Sequence, residues 1–331
     1  MTFLKSYALP RLAQWAVVIL VGTTVTFIVP RLLPTDPVEQ TLRRVSTSLV
    51  DPRAVETFRQ TLTDLYGLQG TPIEQYLRFW GRLLRADLGP SLGAFPTPVT
   101  QIIRDGLPWT IGLLGVSTLI AWVLGIILGT LAAYFPKSRF SNIFGGMLVT
   151  VYPVPYFILS LVLVLMFAYY IPIFPLVGGS SGSPANLIPY LLSIVQHSFL
   201  PALSLVLLGT AFRFIIARAL ASTVISSDAV AYAEVAGLPR RRIIFGYVLR
   251  NSLLPQVTDL ALALGALFEG ALITEFVFSY PGIGYRLYTA ILQSDFNMIM
   301  GITIFSIIGI ATAALVVDLI YPLLDPRVRY R

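Results

Sequence analysis

Long apolar runs separated by short polar breaks dominate the chain, and each run is long enough to read as a membrane-crossing helix. The first covers Leu12 to Val29, with Lys5 and Arg11 before it and Arg31 after it. It is too long for a secretory leader, and PRLLPTDPVE after it lacks a small-x-small cleavage signal, so it is expected to stay as a helix. Further runs cover Trp109 to Tyr134, Ile143 to Ile171, Ser198 to Leu220, Leu254 to Phe278 and Met298 to Leu324. A helix rising about 1.5 Å per residue needs about 20 residues to cross about 30 Å of hydrocarbon. The pattern therefore predicts an all-α polytopic membrane protein with six transmembrane helices.

Residues 35–107 break this rhythm. They carry eight arginines and eight acids and hold two shorter amphipathic patterns, DPRAVETFRQTLTDLYG and TPIEQYLRFWGRLLRADLG. Asp51 and Thr71 are expected N-caps, each followed by proline at the first helical position, with Gly67 as a stop. Tyr76, Phe79, Trp80, Leu83 and Leu84 form an apolar stripe expected to pack against the membrane face, a partner or the chain's own core. Three segments follow: 1–34, tail and first span; 35–107, a largely helical extracytoplasmic insertion; 108–331, a five-helix core with a cytoplasmic loop at about 221–253.

Composition agrees with the pattern. Of 331 residues, 56% are hydrophobic and 12% charged, and the mean hydropathy is +0.79. A soluble domain carries about twice that charged fraction. The net charge of +7 is a topological signal and does not point to nucleic acid. With the N-terminus inside, the cytoplasmic segments hold Lys5, Arg11, Lys137, Arg139, Arg218, Arg240, Arg241, Arg242, Arg250, Arg327, Arg329 and Arg331. The short outer loops near 172–197 and 279–297 hold only Arg286. Both termini are thus expected on the cytoplasmic side of the cell membrane.

Counting excludes several chemistries. There are no cysteines, so disulfides and thiolate metal sites are absent. The single histidine, His197, cannot serve H-E-x-x-H and reads as a packed or interfacial residue. The two lysines, Lys5 and Lys137, follow no glycine-rich loop, which excludes a G-x-x-x-x-G-K-[ST] phosphate cradle. No G-x-S-x-G is present. No catalytic or metal site is expected, and the chain binds no cofactor of its own.

The polar break at 228–239, DAVAYAEVAGLP with Arg240, Arg241 and Arg242 after it, reads as a short helix, a glycine stop and a second helix. Asp228 is the expected cap, Gly237 the left-handed stop, and Pro239 the first residue of the next helix. Ile243, Ile244, Tyr247 and Val248 then form an apolar stripe, while Arg240, Arg241 and Arg250 stay wet. Three arginines would suffice for topology alone. A hairpin presenting Ala233, Val235, Ala236 and Leu238 to the cytosol suggests a docking knob.

Inside the spans, ionisable groups are functional candidates because they are costly unless paired or wet. Asp259 and Glu269 lie ten residues apart, near three turns, and could line a path, while Glu269 or Glu275 could instead pair with Arg213 or Arg286. Glu275, near the span end, favours a structural role. Pro153 and Pro155 must interrupt the third span, so Tyr152 to Tyr156 is a candidate pore-lining kink or a packed one. Gly112, Gly115, Gly125 and Gly129 are spaced for close helix packing.

These residues carry a family resemblance. Ala233-Glu-Val-Ala-Gly237, with Leu253-Leu254-Pro255 after it, resembles the EAA coupling motif of ABC importer permeases. LLPTDPVE (32–39), YGLQGTPIEQYLRFWGRLLRADLGPSL (66–92), HSFLPALSL (197–205), ITEFVFSYPGIGYRL (273–287) and VDLIYPLLDPRVR (317–329) resemble the dipeptide/oligopeptide permeases of DppB/OppB-like type. At Glu234 and Ala236 that family usually carries basic residues. The resemblance implies a permease subunit forming half of a peptide pore. It pairs with a homologous second permease, two ATPases that bind ATP and Mg, and an extracytoplasmic substrate-binding protein. It implies ATPase coupling through Asp228, Tyr232, Ala233, Glu234, Ala236, Gly237, Leu238 and Arg241. The path candidates are Tyr152, Pro153, Pro155, Asp259 and Glu269. Relatives carrying oligosaccharides or nickel leave the cargo open; an ion-driven secondary transporter would need an inverted repeat that is not visible.

Overall fold

The computed structural model describes residues 7–32, 38–39, 42, 52–265, 267 and 272–324. Among the described residues the only non-helical pairing is an isolated bridge between Pro90 and Pro98. Four helices are long and apolar enough to cross a membrane: α1 (Leu9–Leu32), α4 (Val99–Tyr134), α7 (Leu187–Ile225) and α13 (Phe296–Leu324). A fifth crossing is available if α5 (Arg139–Val151) and the stretch from α6 (Tyr156–Val164) to Tyr170 are one broken span. The expected 254–278 span is split into α10 (Arg250–Gly265) and α11 (Leu272–Val277), with only residue 267 described between them. A count of six is therefore not established by the described helices.

Two compact units divide the chain. The first comprises Met1–Trp109, Phe268–Leu272 and Pro281–Thr312. In it, α2 (Pro52–Leu65) and α3 (Pro72–Leu83) join α1, α12 (Ile283–Leu292) and the first turns of α4 and α13. α2 stops where expected: Gly67 takes φ +65°, and its N–H and that of Leu68 donate to Asp64 and Thr63 carbonyls. Thr71 caps α3 in a reciprocal box with Glu74, and Pro72 opens the helix. Asp51, the cap expected for α2, lies outside the described residues.

The aromatic stripe of α3 packs inside this unit. Tyr76 and Phe79 meet Phe27 of α1 at ring separations of 5.2 and 5.1 Å, and Tyr76 Oη lies 2.8 Å from Thr24 Oγ1. Leu84, expected in the same stripe, is exposed, because it caps the helix end after the packed face has turned away. A second tie is Asp295, buried just before α13. It accepts from Ser91 Oγ at 2.5 Å, Gly93 N–H at 2.9 Å and Met298 N–H at 3.1 Å. One carboxylate thus caps α13 and holds the 91–93 turn.

The second unit comprises Thr110–Leu267, Ile273–Tyr280 and Ala313–Arg331. Its seam joins α4 to α7. A methyl added at Gly129 would lie 2.7 Å from Phe214 O, and one at Gly125 2.5 Å from Arg213 Cβ, so both glycines permit close backbone approach. Gly112 faces open space and Gly115 makes only ordinary contact with Leu267, so the same spacing carries no such role there. Phe214 is fully buried with Ala132, Leu148 and Ala211. Trp122 Nε1 donates to the Gln256 carbonyl of α10 at 2.8 Å. Both α4 and α7 begin about ten residues before the expected apolar runs, α4 continuing through Pro108 and α7 through Pro201.

Candidate functional site

The hairpin at 228–239 is built on the end of α7. Ser227, in extended conformation, holds the cap position before α8 (Asp228–Val235), so Asp228, the expected cap, sits one residue later in the first turn. There its charge still faces the positive helix end. Gly237 takes φ +72° and its N–H donates to the Glu234 carbonyl at 3.0 Å. The Leu238 N–H donates to Ala233 at 3.2 Å, which completes a Schellman stop. Pro239 is the residue before α9 (Arg240–Ile243) rather than its first residue; its extended ψ of 140° turns the chain into the second arm. A π-helical turn, Ile244–Leu249, joins that arm to α10.

One face of the hairpin is packed and the other is bare. Ala221, Val230, Ala233, Ile243 and Val248 form a buried cluster, with Leu238, Tyr134 and Tyr247 against it. This corrects the expected presentation of Ala233 and Leu238: the first is buried and the second half-buried, because they hold the two arms together. The exposed face instead carries Tyr232, 75% exposed, and Val235, 87% exposed, with Asp228 and Ala236 beside them. These positions recur at three- and four-residue intervals and so share one side of α8. Arg240, Arg241 and Arg250 are exposed, as expected, Arg242 is exposed with them, and Tyr134 Oη donates to Glu234 Oε1 at 3.4 Å. A bulky aromatic and a β-branched residue held in the open on a tightly stopped helix form a small apolar knob.

The second candidate lies within the helices. α5 and the helix from Tyr156 to Tyr170 meet at 104°. Tyr152 ends α5, Pro155 opens α6, and Val154, preceding a proline, cannot continue the helix comfortably. At 13 residues α5 covers only about 20 Å, too short to span alone. The expected kink is therefore a bend close to a right angle between two short helices. Tyr152 stacks on Phe212 of α7 at 6.2 Å. The next residue, Arg213, places Nε 3.3 Å from Asp259 Oδ2 but off the hydrogen-bond direction. The pair is 12% and 35% exposed, so the cation is the more deeply sequestered partner.

Successive residues of α7 thus bring the proline bend and Asp259 together, while the coupling residues lie apart in their own cluster. Arg213 pairs with Asp259, where Glu269 or Glu275 was expected. Glu269 lies outside the described residues. Glu275 is fully buried and accepts from Thr110 Oγ1 at 2.7 Å, in keeping with a structural role. His197 Nδ1 lies 2.8 Å from the Ser193 carbonyl, one turn earlier on its own helix. Among the described residues there is no group of three or more His, Cys, Asp or Glu that could hold a metal. The Arg213–Asp259 pair is 46 residues apart in sequence, and no local pattern announces it.

Similarity to known proteins supplies the class. Residues 125–330 match the family described as the binding-protein-dependent transport system inner membrane component. The chain is 31% identical to the probable D,D-dipeptide transport system permease protein DdpB of Escherichia coli, covering 99% of this chain and 98% of the relative. It is 33% identical to the di/tripeptide transport system permease protein DppB of Pseudomonas aeruginosa, covering 93% and 94%. The oligopeptide transport system permease protein AppB of Bacillus subtilis is 29% identical, covering 94% and 96%. With its several apolar spans, this is a multi-pass membrane protein, and it belongs to the family of binding-protein-dependent transport system inner membrane components.

Proposed function

We propose that the chain forms half of the pore of an ATP-driven importer of di- and oligopeptides and is gripped by cytoplasmic ATPases through the 228–239 hairpin. The knob of Tyr232 and Val235 carries this reading: it is apolar, exposed and rigidly stopped at Gly237. Its partners are a homologous second permease, two ATPases that bind ATP and Mg²⁺, and an extracytoplasmic substrate-binding protein. Closure of the ATPases around nucleotide moves the knob, and α9 and α10 carry that displacement into the bundle. The tail and the hairpin face the cytoplasm of a cell membrane, 35–107 faces outward, and 108–331 supplies the core. Tyr152, Pro153, Pro155, Asp259 and Glu269 are the proposed path residues. The peptide cargo is supported by the relatives, which are permease proteins of oligopeptide, D,D-dipeptide and di/tripeptide transport systems.

The test is ATP-dependent uptake of labelled di- and oligopeptides by proteoliposomes holding the assembled complex, with an oligosaccharide and Ni²⁺ as alternative cargoes. Gly237 has no atom within 4 Å of an added Cβ, so a substitution there acts through backbone conformation alone. Gly237→Val strains the left-handed position and is expected to abolish uptake, while Gly237→Asn, which tolerates it, retains most. Undiminished uptake by Gly237→Val would sink the coupling role. Uptake of only the alternative cargoes would overturn the cargo.

A further inference from the structure

Within the first unit, a cavity of about 210 Å³ opens where α1 ends and α13 begins. Three guanidinium groups converge on it from separate places: Arg31 on the last turn of α1, and Arg78 and Arg82 one turn apart on α3. Its remaining walls are mostly apolar, with Phe79, Leu83, Leu88, Met300 and Ile304, while Gln75 and Asn297 are polar neighbours. Neither the coupling hairpin nor the proposed path uses any of these residues.

The arginines are positioned but not saturated. Arg31 lies over the Phe27 ring at 3.6 Å, donates Nη1 to the Phe27 carbonyl at 2.8 Å and Nε to Gln75 Oε1 at 3.3 Å. Arg78 donates Nη2 to the Gln69 carbonyl and Nε to the Glu74 carbonyl at 3.4 Å. Arg82 donates Nε to Asp87 Oδ2 at 3.1 Å. Among the described residues, Nη2 of Arg31, Nη1 of Arg78 and both Nη of Arg82 donate to nothing.

The two acids of the cavity do not cancel this. Asp87 is engaged on both oxygens, by Arg82 and by the Gly89 N–H at 2.9 Å. Burial pushes its carboxyl up, but the Gly89 N–H and Arg82 together hold it below the usual range, so it stays an acceptor that orients Arg82. Asp64 Oδ1 accepts from Gln69. What is left over is donor capacity in planar, forked form, the geometry that matches phosphate oxygens. Its level is equally telling. Arg31 ends one apolar span and Asn297 begins another, which places the cationic rim where hydrocarbon meets headgroups, with the apolar walls beneath.

We propose that this cavity binds a phosphate ester at the membrane boundary, the chemistry of an anionic phospholipid headgroup, with the adjoining acyl carbons against Phe79, Met300 and Ile304. A bound lipid would tie α3 to the ends of α1 and α13 and so link the 52–98 segment to the membrane. Free inorganic phosphate offers the same oxygens without the tail.

The experiment uses the full chain purified in mild detergent, as wild type and as Arg78→Gln/Arg82→Gln, two residues on a mostly exposed helix surface. Phosphatidylglycerol and phosphatidylcholine retention is counted by native mass spectrometry, and thermal stability is followed in delipidated samples with added inorganic phosphate. The wild type is expected to retain phosphatidylglycerol at least about tenfold more than the double variant, with phosphatidylcholine equal between them. If 10 mM phosphate does not displace that lipid, the ligand is the headgroup with its tail. If phosphate alone stabilises the wild type and not the variant, the ligand is the free anion; both results support the site. Should the double variant misfold, Leu83→Trp fills the apolar wall without touching a charge and is expected to expel the lipid. Equal lipid retention and equal phosphate response in wild type and variants overturns the proposal.

Discussion

Substituting Gly129 by alanine tests the packing seam with a built-in control on the same helix. The added methyl would lie 2.7 Å from Phe214 O, 2.8 Å from Ala217 Cβ and 2.9 Å from Arg218 N. Two of those atoms are backbone and the third is a Cβ, so no flexible side chain can swing aside. Restoring ordinary contact near 3.5 Å requires α4 and α7 to part by roughly 0.7 Å, and a gap of that size forfeits about a quarter to a half of each dispersion contact it opens. Overpacking of this kind costs about 1–3 kcal/mol, offset by about 1 kcal/mol from the better helix propensity of alanine. The net expectation for Gly129→Ala is a loss of up to about 2 kcal/mol. Gly112 meets nothing within 4 Å, so Gly112→Ala keeps only the propensity gain. Equilibrium unfolding in mixed detergent and dodecyl sulfate micelles measures both. The order expected is Gly112→Ala above wild type above Gly129→Ala. A Gly129→Ala protein as stable as Gly112→Ala would refute the close seam.

Two further outcomes follow from buried polar groups. Asp295→Ala removes the acceptor of Ser91, Gly93 and Met298 and is expected to cost about 2–4 kcal/mol, with faster proteolysis between 84 and 98; unchanged cleavage would contradict the tie. Asp259→Asn leaves the Arg213 cation sequestered and is expected to cost about 1–3 kcal/mol, restrained by the partial exposure of Asp259, while the double variant Arg213→Met/Asp259→Leu recovers most of it; strictly additive effects would show that the two charges are not coupled.

What the chain discloses of itself depends on how local the determinant is. The long spans are legible because length and hydropathy are properties of a single run, and the Gly67, Thr71 and Gly237 boundaries are legible because caps are made within a few residues. The start of α4 is less legible: Arg104, Asp105 and Pro108 look like loop, yet the helix runs through them because Val99, Ile102 and Ile103 are buried against α12 and α13. The four glycines of α4 share a spacing, but only the partner backbone of α7 distinguishes Gly129 from Gly112. In DAVAYAEV nearly every residue is small or apolar, so no polar face tells inward Ala233 from outward Val235. Arg213–Asp259 and the Arg31, Arg78 and Arg82 cavity join distant segments, and only the folded chain assembles them.

The coupling role of the hairpin has a direct measurement, helped by the absence of native cysteine. Val235→Cys, placed at the bare tip, is assembled with the ATPase subunits in membranes and treated with a short bifunctional thiol and amine crosslinker. Val230→Cys, buried on the opposite face, is the control. The expected result is an ATPase-sized adduct for Val235→Cys alone, together with protection of that thiol from soluble maleimide in the assembled complex. Free maleimide labelling of Val235→Cys in the complex, with no adduct, would contradict the proposal that the ATPases grip this chain through the 228–239 hairpin.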